Sequence, residues 1–95
     1  MPKAYWIAHV TVTKPEQYQK YVEASREAFV KYGAVMLARG GPFQQLEGEG
    51  HARNVVIEFA SLQIAKDCYN SPEYQAAKAK RKDAGVANVL LVEGV

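Results

Sequence analysis

Three ionisable side chains of this 95-residue chain lie in apolar, strand-like segments, where they could transfer protons or bind an anion. His9 lies in the segment 5–12 and Glu58 in the segment 55–59. Because side chains alternate between the two faces of a strand, simple counting puts His9, Glu58 and Arg39 on the same face. A neutral imidazole can act as a general base, an adjacent carboxylate holds its tautomer, and a guanidinium binds anions. The sequence therefore predicts His9 and Glu58 as catalytic residues and Arg39 as a ligand-binding residue.

A structural role is the alternative for the same three residues. His9 can hydrogen-bond to a neighbouring strand or to a partner subunit, and Glu58 can form an interior ion pair with Arg39. In the predicted fold the first and third strands are adjacent and antiparallel, so His9 and Glu58 can be cross-strand neighbours. The alternation of side chains does not fix the register of the two strands.

Three further residues are predicted to bind a ligand: Tyr5, Tyr69 and Asn70. Tyr5 shares the strand face of His9. A helix break after Asn70 can place Tyr69 and Asn70 at the mouth of a pocket. The alternative is a plain capped kink, because a serine at position 71 followed by a proline ends one helix and starts the next without any ligand.

Other polar features favour structural interpretations. Arg39 precedes Gly40-Gly41, which can free backbone amides for an anion but more simply marks a bulge or turn. The basic run at residues 78–82 is typical of a solvated helix end. His51 stands alone in a loop, and no set of cysteines and histidines has the spacing of metal ligands. We therefore expect no metal and no bound cofactor.

Composition restricts the class of protein. The net charge is only +2, and 48% of the residues are hydrophobic. That argues against a nucleic-acid-binding protein, which usually has a strongly basic face. The single cysteine excludes an intrachain disulfide, and no apolar stretch approaches the ~20 residues of a membrane span. The expectation is a cytoplasmic protein that forms one domain over residues 1–95 and binds neither nucleic acid nor membrane.

Periodicity predicts the elements that must position these side chains. Strands are predicted at residues 5–12, 34–39, 55–59 and 88–93, with a polar hairpin arm at 43–50. A long helix is expected between Thr13, as the first residue of a capping box, and Gly33, as a left-handed cap. Ser61 and Ser71 are expected to cap two later helical segments. The order β-α-β-β-α-β is that of an α+β, ferredoxin-like subunit, an antiparallel four-stranded sheet with its helices on one face.

The two faces of this sheet are predicted to be covered differently. Trp6, Val10, Ile57 and Phe59 share one apolar parity and are expected to lie under the helices. The opposite face is also too apolar for open water, with Tyr5, Ile7, Val35, Leu37 and Val56. A second copy of the chain is the simplest cover, so the sequence predicts a homodimer.

Several stretches, spread in order along almost the whole chain, carry a family resemblance. They are YWIA at residues 5–8, YG at 32–33, RGG at 39–41, LEG at 46–48, VIEF at 56–59, CYNSPEYQ at 68–75 and VEG at 92–94. With these the chain resembles the family called domain of unknown function 1330, within the dimeric α-β barrel superfamily. The resemblance implies a ferredoxin-like subunit whose sheet pairs with that of a partner. The wider superfamily includes cofactor-independent monooxygenases, haem-degrading enzymes, isomerases and effector-binding domains, and fold alone does not choose among them.

Three functional hypotheses follow. The first is a cofactor-independent enzyme that acts on a small organic molecule in the barrel cavity, with His9 as base, Glu58 as orienting group and Arg39 as anion clamp. The second is a module that binds a small ligand without turnover. The third is a purely structural dimer whose interior is filled by its own side chains.

Overall fold

The computed structural model describes residues 2–95 and confirms the α+β, ferredoxin-like fold. In chain order the elements are β1 (Ala4–Val12), α1 (Pro15–Lys31), β2 (Val35–Arg39), β3 (Arg53–Phe59), α2 (Leu62–Asn70), α3 (Pro72–Lys80) and β4 (Gly85–Glu93). The four strands form one antiparallel sheet in the order β2-β3-β1-β4. The two helical segments predicted after Ser61 and Ser71 are α2 and α3, and β2 is an edge strand.

The core lies between the sheet and the helices, on the face predicted from the alternation of β1 and β3. Trp6, Val10, Ile57 and Phe59 are all buried there. The Trp6 ring lies at the centre, with its centroid 5.2 Å from that of Phe29, on α1. The rings of Tyr69, on α2, and Tyr74, on α3, also pack on Trp6, at 5.5 and 4.8 Å. All three helices therefore cover the same side of the sheet.

The helix boundaries follow the capping rules at α2 and α3. The hydroxyl of Ser61 accepts from the Ile64 amide at the start of α2, and that of Ser71 accepts from the Tyr74 amide at the start of α3. Both side chains satisfy first-turn amides that have no intrahelical partner. Pro72 at the first position of α3 removes one such amide.

The predicted capping box at the start of α1 is wrong. Lys14 is the N-cap residue, and no side chain caps the helix. Instead the amides of Thr13 and Lys14 donate to the carbonyl of Ala84, at 2.7 and 3.0 Å. Hydrogen bonds to a distant part of the chain thus replace the expected local cap. They fix the start of α1 to the segment before β4.

The expected polar hairpin arm at residues 43–50 is also wrong. Residues 40–52 form an exposed loop without a strand. Gly40 and Gly48 adopt positive φ angles of 69° and 74°, and Pro42 lacks an amide donor. These backbone features disfavour a continuous strand ladder. The loop joins the end of β2 directly to the start of β3.

The outer face of the sheet, away from the helices, is largely apolar. Val35, Leu37, Val86, Leu90 and Val92 are between 44% and 58% exposed.

Within residues 2–95, none of the helices combines the length and the apolar character that spanning a bilayer requires.

Candidate functional site

A cavity of about 220 Å³ lies between α1 and the inner face of the sheet. Its sheet wall is formed mostly by small or apolar side chains, which include Trp6, Ala8, Val55 and Val89. Its helical wall follows one stripe of α1: Tyr18, Tyr21, Val22, Ser25, Arg26, Phe29 and Val30. A single water needs only about 10–15 Å³ by the same measure, so the space is large enough for a molecule of one ring.

All four arginines of the chain line this cavity: Arg26, Arg39, Arg53 and Arg81. None of the lysines does. Within residues 2–95, no aspartate, glutamate or histidine lines it either. The cavity therefore combines an apolar interior with four positive charges, and no carboxylate of residues 2–95 lies on its walls. That combination suits a molecule with an apolar body and an anionic group.

Arg39 reaches the cavity because of a β-bulge in β2. Met36 pairs with Ile57, whereas Ala38 pairs with Val56, so Leu37 is an extra residue in the strand. The insertion shifts the alternation by one position and places Arg39 opposite Val55, whose side chain faces the helices. The predicted position of Arg39 on the outer face is therefore wrong, because the bulge interrupts the regular alternation of side chains along the strand.

Arg53 lies beside Arg39 on the inner face. Arg53 is two residues before Val55, the partner of Arg39, so the two arginines are diagonal neighbours. Such neighbours have Cα atoms about 7–8 Å apart, within reach of long side chains. We call Arg39 and Arg53 the arginine pair. Two like charges on one wall of a cavity favour a bound anion.

The side chain of Arg53 is held against Tyr18 and Gly40. Its Cζ atom lies 5.6 Å from the centroid of the Tyr18 ring, in a cation–π contact. A Cβ atom on Gly40 would come within 2.8 Å of Arg53 Nη1, so a larger residue there would displace the guanidinium. Arg53 Nε is buried and has no hydrogen-bond partner among residues 2–95. A buried donor without an acceptor is unusual in a folded protein and points to a ligand acceptor.

His9 and Glu58 are not neighbours, so the predicted catalytic dyad is wrong in its geometry. His9 pairs with Asn54, whereas Glu58 pairs with Tyr5, four residues along the strand. At about 3.3 Å per residue the separation is about 13 Å. His9 Nδ1 donates to Asn54 Oδ1 at 2.7 Å, and Glu58 accepts from Lys3 Nζ at 3.4 Å. Both side chains lie on the outer face, away from the cavity and from Arg39.

The other predicted ligand-binding residues do not line the cavity. Tyr5 lies on the outer face, where its ring approaches Gly94. Tyr69 packs on Trp6 in the core, and Lys78 Nζ lies 5.4 Å from the centroid of the Tyr69 ring. Asn70 is exposed and donates to the carbonyl of Lys66 at 3.0 Å, within its own helix. The capped kink thus accounts for this segment without a pocket mouth.

Sequence reasoning missed Arg53, and a signal for it was present. Arg53 continues the inward parity of Val55, Ile57 and Phe59, and a charged residue in that position needs a partner. On α1, Ser25 and Arg26 lie in or beside the apolar stripe. Polar residues within the apolar patterns of β3 and α1 therefore indicate the cavity.

Within residues 2–95, no three His, Cys, Asp or Glu side chains come together in a way that could hold a metal ion. The cavity walls offer cations, phenol groups and apolar surface. Such walls can bind and polarise an anionic molecule, but they contain no carboxylate or imidazole that could remove a proton from it.

Solved structures with the same fold cover almost the whole chain. The RPA0582 protein of unknown function from Rhodopseudomonas palustris has a TM-score of 0.78 at 17% identity, over 99% of this chain and 83% of that one. The cofactor-independent oxygenase SnoaB from Streptomyces nogalater has a TM-score of 0.66 at 8% identity, over 97% and 92%. A dimeric ferredoxin-like protein of unknown function from Thermobifida fusca has 0.65 at 13% identity, over 97% and 91%. At these identities the likeness concerns the fold.

The comparison with curated proteins gave no match. The model of one protein family, described as domain of unknown function (DUF1330), matches residues 3–95. The match includes every strand and helix of the fold. The chain therefore belongs to the DUF1330 family.

Proposed function

We propose that this protein binds a small organic acid in the cavity between α1 and the sheet. The apolar body of the acid, of about one ring, lies against Trp6 and Ala8. Its carboxylate lies at the arginine pair, where Arg53 Nε gains an acceptor that residues 2–95 do not offer. The proposal is carried by one observation: every arginine of the chain, and no acidic side chain of residues 2–95, lines the same cavity.

The choice of arginine over lysine supports an acid as the ligand. A guanidinium presents a planar fork of donors that matches the two oxygens of a carboxylate. It is also less strongly hydrated than an ammonium group, so it enters an apolar cavity more readily. The same groups would bind phosphate, but the apolar floor favours a ligand that also buries a hydrocarbon surface.

Calorimetric titration with benzoate tests the proposal, with benzamide as the uncharged control of the same shape. We expect benzoate to bind at least about tenfold more tightly than benzamide, since a hydrogen bond to a charged group contributes roughly 1.5–3 kcal/mol. Arg39→Gln and Arg53→Gln should each remove that advantage, whereas Lys20→Gln, the same charge change outside the cavity, should not. Trp6 is the only tryptophan and lines the cavity, so its indole N–H resonance reports binding at this site.

Equal affinities for benzoate and benzamide would remove the proposal. So would arginine variants that bind benzoate as well as the wild type does. If heat is released while the Trp6 resonance does not change, the ligand binds elsewhere on the protein.

Catalysis without a cofactor on the same bound molecule is a second candidate function. Positive charges in an apolar cavity stabilise the conjugate base of a bound enol or phenol, which favours its ionisation without a protein base. The cofactor-independent oxygenase SnoaB shares the fold. Oxygen uptake by a solution of 3,4-dihydroxybenzoate with the wild-type protein, compared with Arg39→Gln, tests this candidate. An equal rate for the two proteins would exclude it.

We also propose that the protein is a homodimer joined through the outer faces of two sheets. The exposed valines and leucines of β2 and β4 form an apolar surface that a second copy would bury. The related fold from Thermobifida fusca is described as dimeric. His9 and Asn54 would then lie at the interface, hydrogen-bonded to each other.

A further inference from the structure

The helical wall of the cavity leads to two hydrogen-bonded tyrosines, which are distinct from the arginine pair. Tyr21 Oη and Tyr74 Oη lie 2.8 Å apart. Their rings meet edge to face, with centroids 6.1 Å apart. Tyr21 lines the cavity, whereas Tyr74 is fully buried behind it. The hydrogen bond therefore joins a side chain of the core to a side chain that lines the cavity.

The hydrogen bond between the two hydroxyls leaves one proton free. Each phenol can donate one hydrogen bond. Tyr21 is the acceptor that the described residues offer to the buried Tyr74 hydroxyl. When Tyr74 donates to Tyr21, the proton of Tyr21 is not used in this bond and is left for another acceptor. A second donor on that wall is Arg81, whose Cζ lies 5.1 Å from the centroid of the Tyr21 ring.

Both phenols act as donors rather than bases at neutral pH. Burial is the main cause that raises the pKa of Tyr21 far above its ordinary value, and the neighbouring Tyr74 raises it further. Burial likewise raises the pKa of Tyr74. A protonated phenol offers its hydrogen to an oxygen of the ligand.

We propose that Tyr21 determines specificity by donating a hydrogen bond to a second oxygen on the bound acid. The preferred ligands are then ring acids that carry a hydroxyl or carbonyl group, held by the carboxylate at the arginine pair and by the second oxygen at Tyr21 and Arg81. The inference depends on the proposed function, because it needs the carboxylate to be fixed at the arginine pair. A site built to pair with a ligand oxygen disfavours the analogue that lacks it, since the buried donor then stays unpaired.

Titration with matched isomers tests this inference. The probes are the three hydroxybenzoates, and the controls are the three methylbenzoates, which have the same substitution pattern without the hydrogen bond. We expect one hydroxy isomer to bind the wild type on the order of tenfold more tightly than its methyl counterpart. Tyr21→Phe should abolish that preference while leaving the affinity for the methyl isomer within about twofold. Tyr74→Phe, which keeps the Tyr21 hydroxyl at the cavity, should retain the preference.

The outcomes separate this inference from the proposed function. If none of the acids binds, both fail. If the acids bind but no hydroxy isomer is preferred, or if the preference survives Tyr21→Phe, the role of Tyr21 is overturned while the acid site stands. The wild-type comparison needs no variant. Transferred nuclear Overhauser effects between the Tyr21 ring and the hydroxylated end of the ligand provide a second measurement should Tyr21→Phe not fold.

Discussion

Arg39 and Arg53 are diagonal neighbours on the cavity side of the sheet, although one ends β2 and the other begins β3. No salt bridge to an acidic side chain of residues 2–95 offsets the charge of either. The unpaired Nε of Arg53 disfavours the empty cavity. Binding sites commonly retain such strain because function requires it.

Replacement of Arg53 by methionine should therefore stabilise the unliganded protein while it weakens acid binding. Methionine keeps the apolar stem of the side chain and removes the charge and the unpaired donor. We expect the free energy of unfolding to rise by about 1 kcal/mol, after the loss of the contact with Tyr18 is taken into account. Urea unfolding followed by circular dichroism measures the change. A less stable Arg53→Met protein would show that the guanidinium contributes to folding rather than to binding.

Gly40→Ala should cost both stability and affinity. Gly40 has a φ of 69°, and an added Cβ would crowd Arg53 Nη1. We expect a loss of about 1–2 kcal/mol in the free energy of unfolding, with benzoate binding weakened as Arg53 moves. Gly33→Ala is the matched control, because Gly33 has a similar φ of 70° but open space around it. It should lose stability without losing affinity, and equal binding by both variants would contradict the role of Gly40.

His9→Ala should leave acid binding unchanged. His9 lies on the outer face, hydrogen-bonded to Asn54, and the cavity is on the opposite side of the sheet. We expect the affinity for benzoate to stay within about twofold of the wild type, because distant sites act independently. If His9→Ala loses binding in the same titration, the functional site lies on the outer face instead.

Leu90→Glu should convert the proposed dimer into a monomer. Leu90 is 50% exposed on the outer face of β4. A buried carboxylate without a partner costs several kcal/mol, which is a large part of the free energy of a modest interface. Sedimentation at micromolar concentration measures the mass. Ala76→Glu, on the exposed side of α3, is the control, and a wild type that sediments as a monomer would exclude the dimer.

Cys68 should resist thiol reagents until the protein unfolds. Its side chain is fully buried, and burial raises the pKa of the thiol to about 12. Since the thiolate is the reactive form, little of it exists at pH 8 in the folded protein. Labelling with a chromogenic disulfide reagent should be slow without urea and fast above the unfolding midpoint. Rapid labelling of the folded protein would indicate local opening around α2.

The alternation of β1 and β3 correctly predicted which residues lie under the helices. Trp6 and Ile57 are buried on the helix side, and His9 and Glu58 lie on the other, because the pleat fixes the face of every second side chain. Alternation does not fix how far two strands slide along each other. The contact between His9 and Glu58 depended on that register, and the structure pairs His9 with Asn54 instead.

Arg39 shows the limit of counting along a single strand. Regular alternation from Val35 puts Arg39 on the outer face, but the extra Leu37 reverses its side. A bulge is a property of the pairing with β3, so the residues of β2 alone do not reveal it. Arg53, in contrast, needed no such information, because its inward position follows from Val55 and Ile57.

The bulge in β2 has a consequence for how the sequence can change over evolution. Deleting Leu37 would leave a regular strand in which Arg39 still lies opposite Val55, so the arginine pair would survive the loss of a residue. Inserting one residue before Arg39 would turn its side chain to the outer face unless a second bulge formed. Relatives that keep the cavity charge should therefore tolerate deletions in this strand more often than insertions.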